Sequence, residues 1–262
     1  MEKSFIKWVG GKSRILHKII DSFPKNYNTL IEPFVGSGVV GLNVTSSKWI
    51  INDINSDLIN CYKYIKEIDP STLLNDLSKL FISESNTSEM YYNIREIFNT
   101  SSNTYLKSLL FMYLNKHGYN GLCRYNSKGI YNVPYGRYTK PYFPEQEILA
   151  YHNKLQMADI HNYDFEEIFD LANEGDLIYC DPPYLNNFSS YDQTGFTLSD
   201  HKRLLDKAML LKNSGVTTII SNSLESKDLY SKCQSINNIE VMRSVGSISS
   251  SRGYICEILV TV

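Results

Sequence analysis

Residues Asp181-Pro182-Pro183-Tyr184 close an apolar run of strand length, Leu177-Ile178-Tyr179-Cys180. Such a run pairs between neighbouring strands and stops at the prolines, so it delivers a carboxylate to the edge of a sheet. Proline has a fixed φ and no N–H, which leaves held carbonyls able to accept from another molecule. A carboxylate, a held carbonyl and an aromatic ring together suit an amino group lying flat beside Tyr184. The competing reading is a strand end with a proline turn and no chemistry, and a four-residue match does not choose between them.

Two glycine turns bear on that choice. Lys7-Trp8-Val9-Gly10-Gly11-Lys12-Ser13 precedes a helical stretch over 14–20. A phosphate-binding loop requires glycine five places before Gly11, where Ile6 stands, so a nucleotide triphosphatase is not indicated. Paired glycines still expose backbone donors at a positive helix end, which suits an anionic group such as a carboxylate. Next, Thr29-Leu30-Ile31-Glu32-Pro33-Phe34-Val35-Gly36-Ser37-Gly38 is a short strand breaking into a glycine turn. Gly36 and Gly38 let the backbone pass close to a ligand. A second strand over 48–53 ends at Asp53, at the separation expected of a carboxylate that grips ribose hydroxyls. A parallel sheet with nothing bound shows similar turns, so the strand–turn–helix–strand–acid order carries the weight.

The elements that must position these residues alternate. With 262 residues, the chain holds one large domain or a domain with a sizeable insertion. Its 20 tyrosines and 42% hydrophobic content exclude a disordered chain. No stretch reaches the roughly 20 apolar residues that span a bilayer, and residues 1–7 carry no apolar signal core. A soluble intracellular, cytoplasmic protein without membrane partners is expected. Five separated cysteines without C-x-x-C spacing, and five histidines without ligand spacing, argue against a disulfide framework and a metal site.

The formal net charge of -2 does not announce a nucleic-acid binder, but charge is unevenly placed. Residues 97–144 contain no Asp or Glu, while Lys107, Lys116, Arg124, Lys128, Arg137 and Lys140 fall inside them. That is a local electrostatic footprint. From Ser56 onward the period predicts helices over 58–68, capped at Ser56, and over 90–98 and 105–114. Within 117–138, Asn126-Ser127-Lys128-Gly129 turns between two Tyr-rich arms and predicts a β-hairpin. Basic and aromatic residues without acids suit phosphate contact and base stacking; a merely solvated basic loop would carry fewer tyrosines.

After residue 144 the α/β pattern returns. Strands are expected over 158–163, into Asp181, over 216–220, 239–245 and 254–262. Helices are expected over 201–212, capped at Ser199 and ended at Gly215, and over 224–233. A polar loop covers 185–196, and a Ser-rich turn separates the last two strands. The expected fold class is α/β, a mostly parallel, doubly wound Rossmann-like sheet with ligands beyond the carboxyl ends of its strands.

Taken in order, these pieces resemble the Dam-type DNA adenine methyltransferases over nearly the whole chain. The resemblance rests on Lys7-Trp8 with Gly10-Gly11-Lys12, on Glu32-Pro33-Phe34-Val35-Gly36-Ser37-Gly38, on Asn52-Asp53, on the 117–138 segment and on Asp181-Pro182-Pro183-Tyr184. It implies methyl transfer from S-adenosylmethionine to the exocyclic amino group of adenine in double-stranded DNA, with GATC as the site. It implies a catalytic S-adenosylmethionine-binding domain over 1–55 and 145–262, and a target-recognition domain over 56–144. Asp181, Pro182 and Tyr184 are then catalytic. Trp8, Gly10, Gly11 and Lys12 look like the segment beside the cofactor's methionine part, Glu32, Phe34, Gly36 and Gly38 like its main pocket, Asp53 like the ribose ligand, and Asp164 and Phe165 like its adenine edge. In the hairpin, Tyr119 and Asn120 resemble residues that open the duplex. Leu122, Arg124 and Pro134 resemble base readers, Arg137 and Tyr138 backbone contacts, and Lys7 a further base contact. Methylation of cytosine amino groups or RNA uses the same clamp, and a silent DNA-binding module uses the same fold. Intact Asp181, Tyr184, Gly36 and Gly38 speak against the silent module.

Overall fold

Apolar runs punctuated by Gly, Pro and Asp become the strands of the molecule, described by a computed structural model over residues 1–184, 196–242 and 254–262. Along the chain they are β1 (Thr29–Glu32), β2 (Lys48–Asn52), β3 (Ala158–His161), β4 (Leu177–Cys180), β5 (Thr217–Ser223), β6 (Ser235–Met242) and β7 (Tyr254–Thr261). The helices are α1 (Leu16–Asp21), α2 (Val39–Leu42), α3 (Ser56–Glu67), α4 (Pro70–Ser78), α5 (Ser88–Thr100), α6 (Thr104–His117), α7 (Glu145–Leu155), α8 (Phe165–Phe169) and α9 (Leu198–Lys212). The chain divides into two compact units. A sheet unit takes Lys12–Val35, Val44–Ile54 and Tyr163–Val262; a helical unit takes Met1–Gly11, Gly36–Asn43 and Asn55–Asn162.

In the sheet unit the strand order is β2-β1-β4-β5-β7-β6. The first four are parallel, with Ile31 opposite both Ile50 and Ile178. β7 runs antiparallel between β5 and β6. The mostly parallel α/β sheet expected from the alternation is therefore present, with an antiparallel pair at one side. Side chains alternate across a pleat, so Ile31, Ile178, Cys180, Ile220, Ile258 and Val260 fall into one buried cluster. Phe165, Ile168 and Phe169 of α8 and Leu204 and Ala208 of α9 close that cluster. Elsewhere on the sheet, Tyr179 meets the ring of Phe23, which follows α1, at 5.9 Å.

Boundaries differ from the sequence expectation where capping decides them. Thr197, not Ser199, caps α9: its hydroxyl accepts from the Asp200 N–H while the Asp200 carboxylate accepts from the Thr197 N–H, a capping box two residues upstream of the predicted start. The stretch expected to be helical over 224–233 is a 3-10 helix over Leu224–Tyr230. β6 begins at Ser235, four residues earlier than expected. Positions 185–195 of the polar loop, positions 243–245 of the penultimate strand and the Ser-rich turn lie outside the described residues.

The helical unit is built around α6, whose residues Ser108 to His117 are all buried. α3, α4 and α5 pack against it. Asn55 rather than Ser56 caps α3, its side chain accepting from the Leu58 N–H at 3.0 Å, because Ser56 is already in the first turn. α4 is not among the helices that the period predicts, although Asp69-Pro70 is a start signal and Asp69 accepts from the Thr72 N–H. The 117–138 segment folds back on itself as expected, but as a loop with two isolated antiparallel bridges, Gly118–Tyr135 and Tyr125–Tyr131, instead of a hairpin ladder. α5 holds the outer edge of the returning arm. Tyr91 Oη and Arg95 Nη1 both donate to the Val133 carbonyl, and Asn99 donates to the carbonyl and accepts from the N–H of Tyr131. These side chains satisfy backbone groups that face away from the other arm.

Candidate active site

In the sheet unit, β4 ends where the sequence predicts, and Asp181 stands just beyond it. Its Oδ1 lies 3.0 Å from the Nζ of Lys12, which belongs to a 3-10 turn ahead of α1 and is only 5% exposed. The same ammonium lies 3.8 Å from Glu257 Oε2 and 4.7 Å from the centroid of the Tyr184 ring. Tyr184 Oη donates to Glu257 Oε2 at 2.8 Å. A phenol has one proton, so the 2.9 Å contact between Tyr184 Oη and Ser221 Oγ is donated by the serine. Strand β4, the turn before α1, β5 and β7 thus converge on one carboxylate and one ring. Burial pushes Asp181 up to about 6, against the opposing pull of the Lys12 charge. Pro182 is buried beside it.

Around the ends of β1 and β2, Glu32 is buried and accepts from the Trp49 indole at 2.7 Å. The Phe34 ring lies 5.3 Å from Phe165 and 5.5 Å from Phe196. Asp53 directly follows β2. Asp164 caps α8, accepting from the Glu166 N–H, and pairs with Arg203 at 2.9 Å. Asn52, absent from the sequence reading's site residues, ties this edge together. Its amide donates to the carbonyls of Pro33 and Tyr163 and accepts from the Tyr163 N–H. The signal present in the sequence is a polar amide ending the apolar run Trp49-Ile50-Ile51, and burial of that amide then calls for partners.

Trp8, Gly10, Gly11, Gly36 and Gly38 belong to the helical unit. Gly36 has φ of 47°, and a Cβ there would stand 2.8 Å from Cδ1 and Nε1 of Trp8, so only glycine fits under the indole. Gly38, with φ of 66°, starts α2. Tyr62 Oη donates to the Gly36 carbonyl at 2.8 Å and Tyr151 Oη donates to that of Ser37 at 2.5 Å. Neither tyrosine was singled out from the sequence; both bracing contacts join positions distant in the chain.

The same unit gathers the eight candidate DNA contacts. Tyr119, Asn120, Arg124, Pro134 and Arg137 are exposed, with Leu122 and Tyr138 partly so. Asn120 and Arg137 have positive φ, 53° and 56°. The Asn120 N–H donates to Tyr138 Oη, and the Lys7 ammonium sits 4.3 Å above the Tyr138 ring. Arg124 Nε donates to Asn132 Oδ1 at 2.7 Å. Lys7 reaches this group through Asn115 of α6. Asn115 accepts from the Lys7 N–H and donates to the carbonyls of Lys7 and Gly121.

Residues 8–245 match the family described as D12 class N6 adenine-specific DNA methyltransferases. The chain belongs to this family. The methyltransferase is 39% identical over 266 residues to a DNA adenine methylase of Vibrio cholerae serotype O1, covering 98% of this chain and 95% of that protein. It is 38% identical over 264 residues to the DNA adenine methylase of Escherichia coli K12, covering 98% and 94%. To that of Haemophilus influenzae Rd it is 37% identical over 266 residues, covering 98% and 92%. Its reaction is therefore methyl transfer to the N6 amino group of adenine in DNA, on a Rossmann-like methyltransferase sheet. Among the described residues of the methyltransferase, no group of three or more His, Cys, Asp or Glu side chains is arranged to hold a metal, and no helix is long and apolar enough to cross a membrane.

Proposed function

We propose that this methyltransferase takes its methyl group from S-adenosylmethionine and modifies a flipped-out adenine within GATC in duplex DNA. The observation that carries the reading is the convergence of Asp181 and Tyr184 at the end of β4. Asp181, Pro182 and Tyr184 are the catalytic residues. Trp8, Gly10, Gly11, Lys12, Glu32, Phe34, Gly36, Gly38, Asp53, Asp164 and Phe165 hold the donor. The glycine-only backbone at Gly36 and the acid at the end of β2 fit such a group. When bound, it supplies an electrophilic sulfonium methyl that departs from a neutral thioether.

Adenine's amino nitrogen is a poor nucleophile because its lone pair is delocalised into the ring, and pairing hides it. Flipping the base costs a few kcal/mol, and stacking on Tyr184 returns about 1–3 kcal/mol. Asp181 and the Pro182 carbonyl each accept one amino hydrogen, which favours a pyramidal nitrogen with its lone pair aimed at the methyl carbon. As the N–C bond forms, the nitrogen becomes cationic and releases a proton to Asp181. Asp181 acts as an acceptor rather than as a strong base, since the amino proton turns acidic only once the methyl has arrived. The catalytic contribution is positioning and electrostatics.

Residues 56–144 form the target-recognition region. Tyr119 and Asn120 open the duplex, Lys7, Leu122, Arg124 and Pro134 read bases, and Arg137 and Tyr138 hold the backbone. The assignment to GATC rests on the resemblance to Dam-type enzymes. Incubation with S-adenosylmethionine and mixed-sequence DNA, followed by single-molecule mapping of modified bases, tests donor and site together. N6-methyladenine in GATC is expected, and methylation in another context would overturn the site. Asp181→Ala is expected to retain DNA binding while transfer drops by orders of magnitude. Binding that falls steeply with salt is also expected, and a flat response would remove the basic segment as the docking surface.

A further inference from the structure

Glu257 lies outside every motif of the sequence, yet its Oε2 accepts from Tyr184 Oη at 2.8 Å and faces Lys12 Nζ at 3.8 Å. It is carried on β7, the antiparallel strand beside β5, where it pairs with Ser223 in a register that sets Ser221 opposite Leu259. Ser221 donates to the same Tyr184 oxygen. The ring that receives the base is therefore held from two strands. Lys12 is shared between two carboxylates, Asp181 at 3.0 Å and Glu257 at 3.8 Å.

We propose that Glu257 is a positioning residue of the methyl-transfer site, fixing the Tyr184 ring and keeping Lys12 neutralised when Asp181 takes up the amino proton. This rests on the reading of Asp181 as the amino-group acceptor. At that step the N6–H bond breaks, its electron pair stays on nitrogen, and the proton moves to a carboxylate oxygen of Asp181. The carboxylate then becomes neutral and Lys12 loses that counter-charge. Glu257 remains beside it. In the resting site the Glu257 charge also works against Lys12, favouring the protonated form of Asp181. Among the described residues of the sheet unit, Lys12, Glu257 and Tyr184 face Asp181, and Tyr179 and Cys180 precede it on β4 with both protonated forms favoured by burial.

The test is Glu257→Gln, whose amide oxygen still accepts from Tyr184 but which carries no charge. Loss of a charge-assisted contact made at the transfer step is expected to lower kcat roughly tenfold with KM for DNA within about twofold. The acid limb of the kcat profile is expected to move to lower pH, because the charge that raises Asp181 is gone. On a Lys12→Met background the same substitution is expected to cost less than about twofold, since both act through one ammonium. An unchanged kcat, an unmoved acid limb, or an equal loss on both backgrounds would each overturn the inference. If Glu257→Gln does not fold, as read by its melting curve, Glu257→Asp keeps the charge, and a shifted acid limb in that variant overturns it as well. Asp181→Ala separates the two layers: if it still turns over normally, the reading of Asp181 fails first. If it is dead while Glu257→Gln is unaffected, only the role of Glu257 fails.

Discussion

The ammonium of Lys12 lies 3.0 Å from Asp181 Oδ1, so the carboxylate proposed to accept the amino group is already half of an ion pair before any substrate arrives. Burial nevertheless leaves Asp181 raised to about 6. Accepting an amino hydrogen requires the ionised form, so transfer is expected to fall as pH drops through about 6, in a kcat profile measured at saturating DNA. The linked stability effect has the opposite sense. A carboxyl raised above its unfolded value stabilises the fold at low pH and loses that contribution as pH rises through about 6. Melting curves of wild type and Asp181→Asn across that range should differ by this component.

Lys12 pulls Asp181 down, against burial. Lys12→Met should therefore raise Asp181 further and carry the acid limb of the kcat profile to higher pH, opposite in sign to the shift expected for Glu257→Gln. An acid limb that stays in place would mean the observed limb belongs to another group.

Gly36 places its backbone directly under Trp8. Gly36→Ala is expected to cost about 1–2 kcal/mol for the left-handed backbone alone, with the clash against the indole added. Urea unfolding measures the loss, and equilibrium binding of S-adenosylmethionine should weaken with it. Full retention of both would show that the turn relaxes without consequence.

Asn115 supplies three hydrogen bonds that fasten Lys7 and Gly121 to α6. Asn115→Leu removes the side-chain partner of the part-buried Lys7 backbone groups and of the buried Gly121 carbonyl, and should destabilise the protein by about 1–3 kcal/mol. Because Lys7, proposed to read a base, loses its anchor, sequence discrimination in the methylation map should relax more than overall DNA affinity. A loss of stability with discrimination intact would confine Asn115 to a structural role.

Arg124 is exposed and oriented by Asn132. Arg124→Ala is expected to cost about 1–3 kcal/mol at one guanine and to relax choice at that position. Equal weakening on all sequences, measured by competition binding, would reassign it to a phosphate.

The order of motifs was legible in the chain because each is a local device. A strand that must stop at two prolines, a turn that only glycine can make, and a basic segment without acids each follow from neighbouring residues. The helical periods that were read follow for the same reason, with errors of one or two residues at Ser56 and Ser199, where a nearby side chain competes for the cap, whereas α4 and α7 were not legible. Only the tertiary structure decided which distant groups share a site. Glu257 and Ser221 join Tyr184 because β7 inserts antiparallel beside β5, a pairing fixed by sheet closure and not by any local pattern. Tyr62, Tyr151 and Asn115 are ordinary helix residues in sequence; long-range hydrogen bonds to a glycine turn and to the N-terminal segment give them their roles. Lys12 shows both limits. The resemblance to Dam-type enzymes marked it as a donor-site residue, but its pairing with Asp181 depends on a contact across 169 positions that no spacing rule encodes.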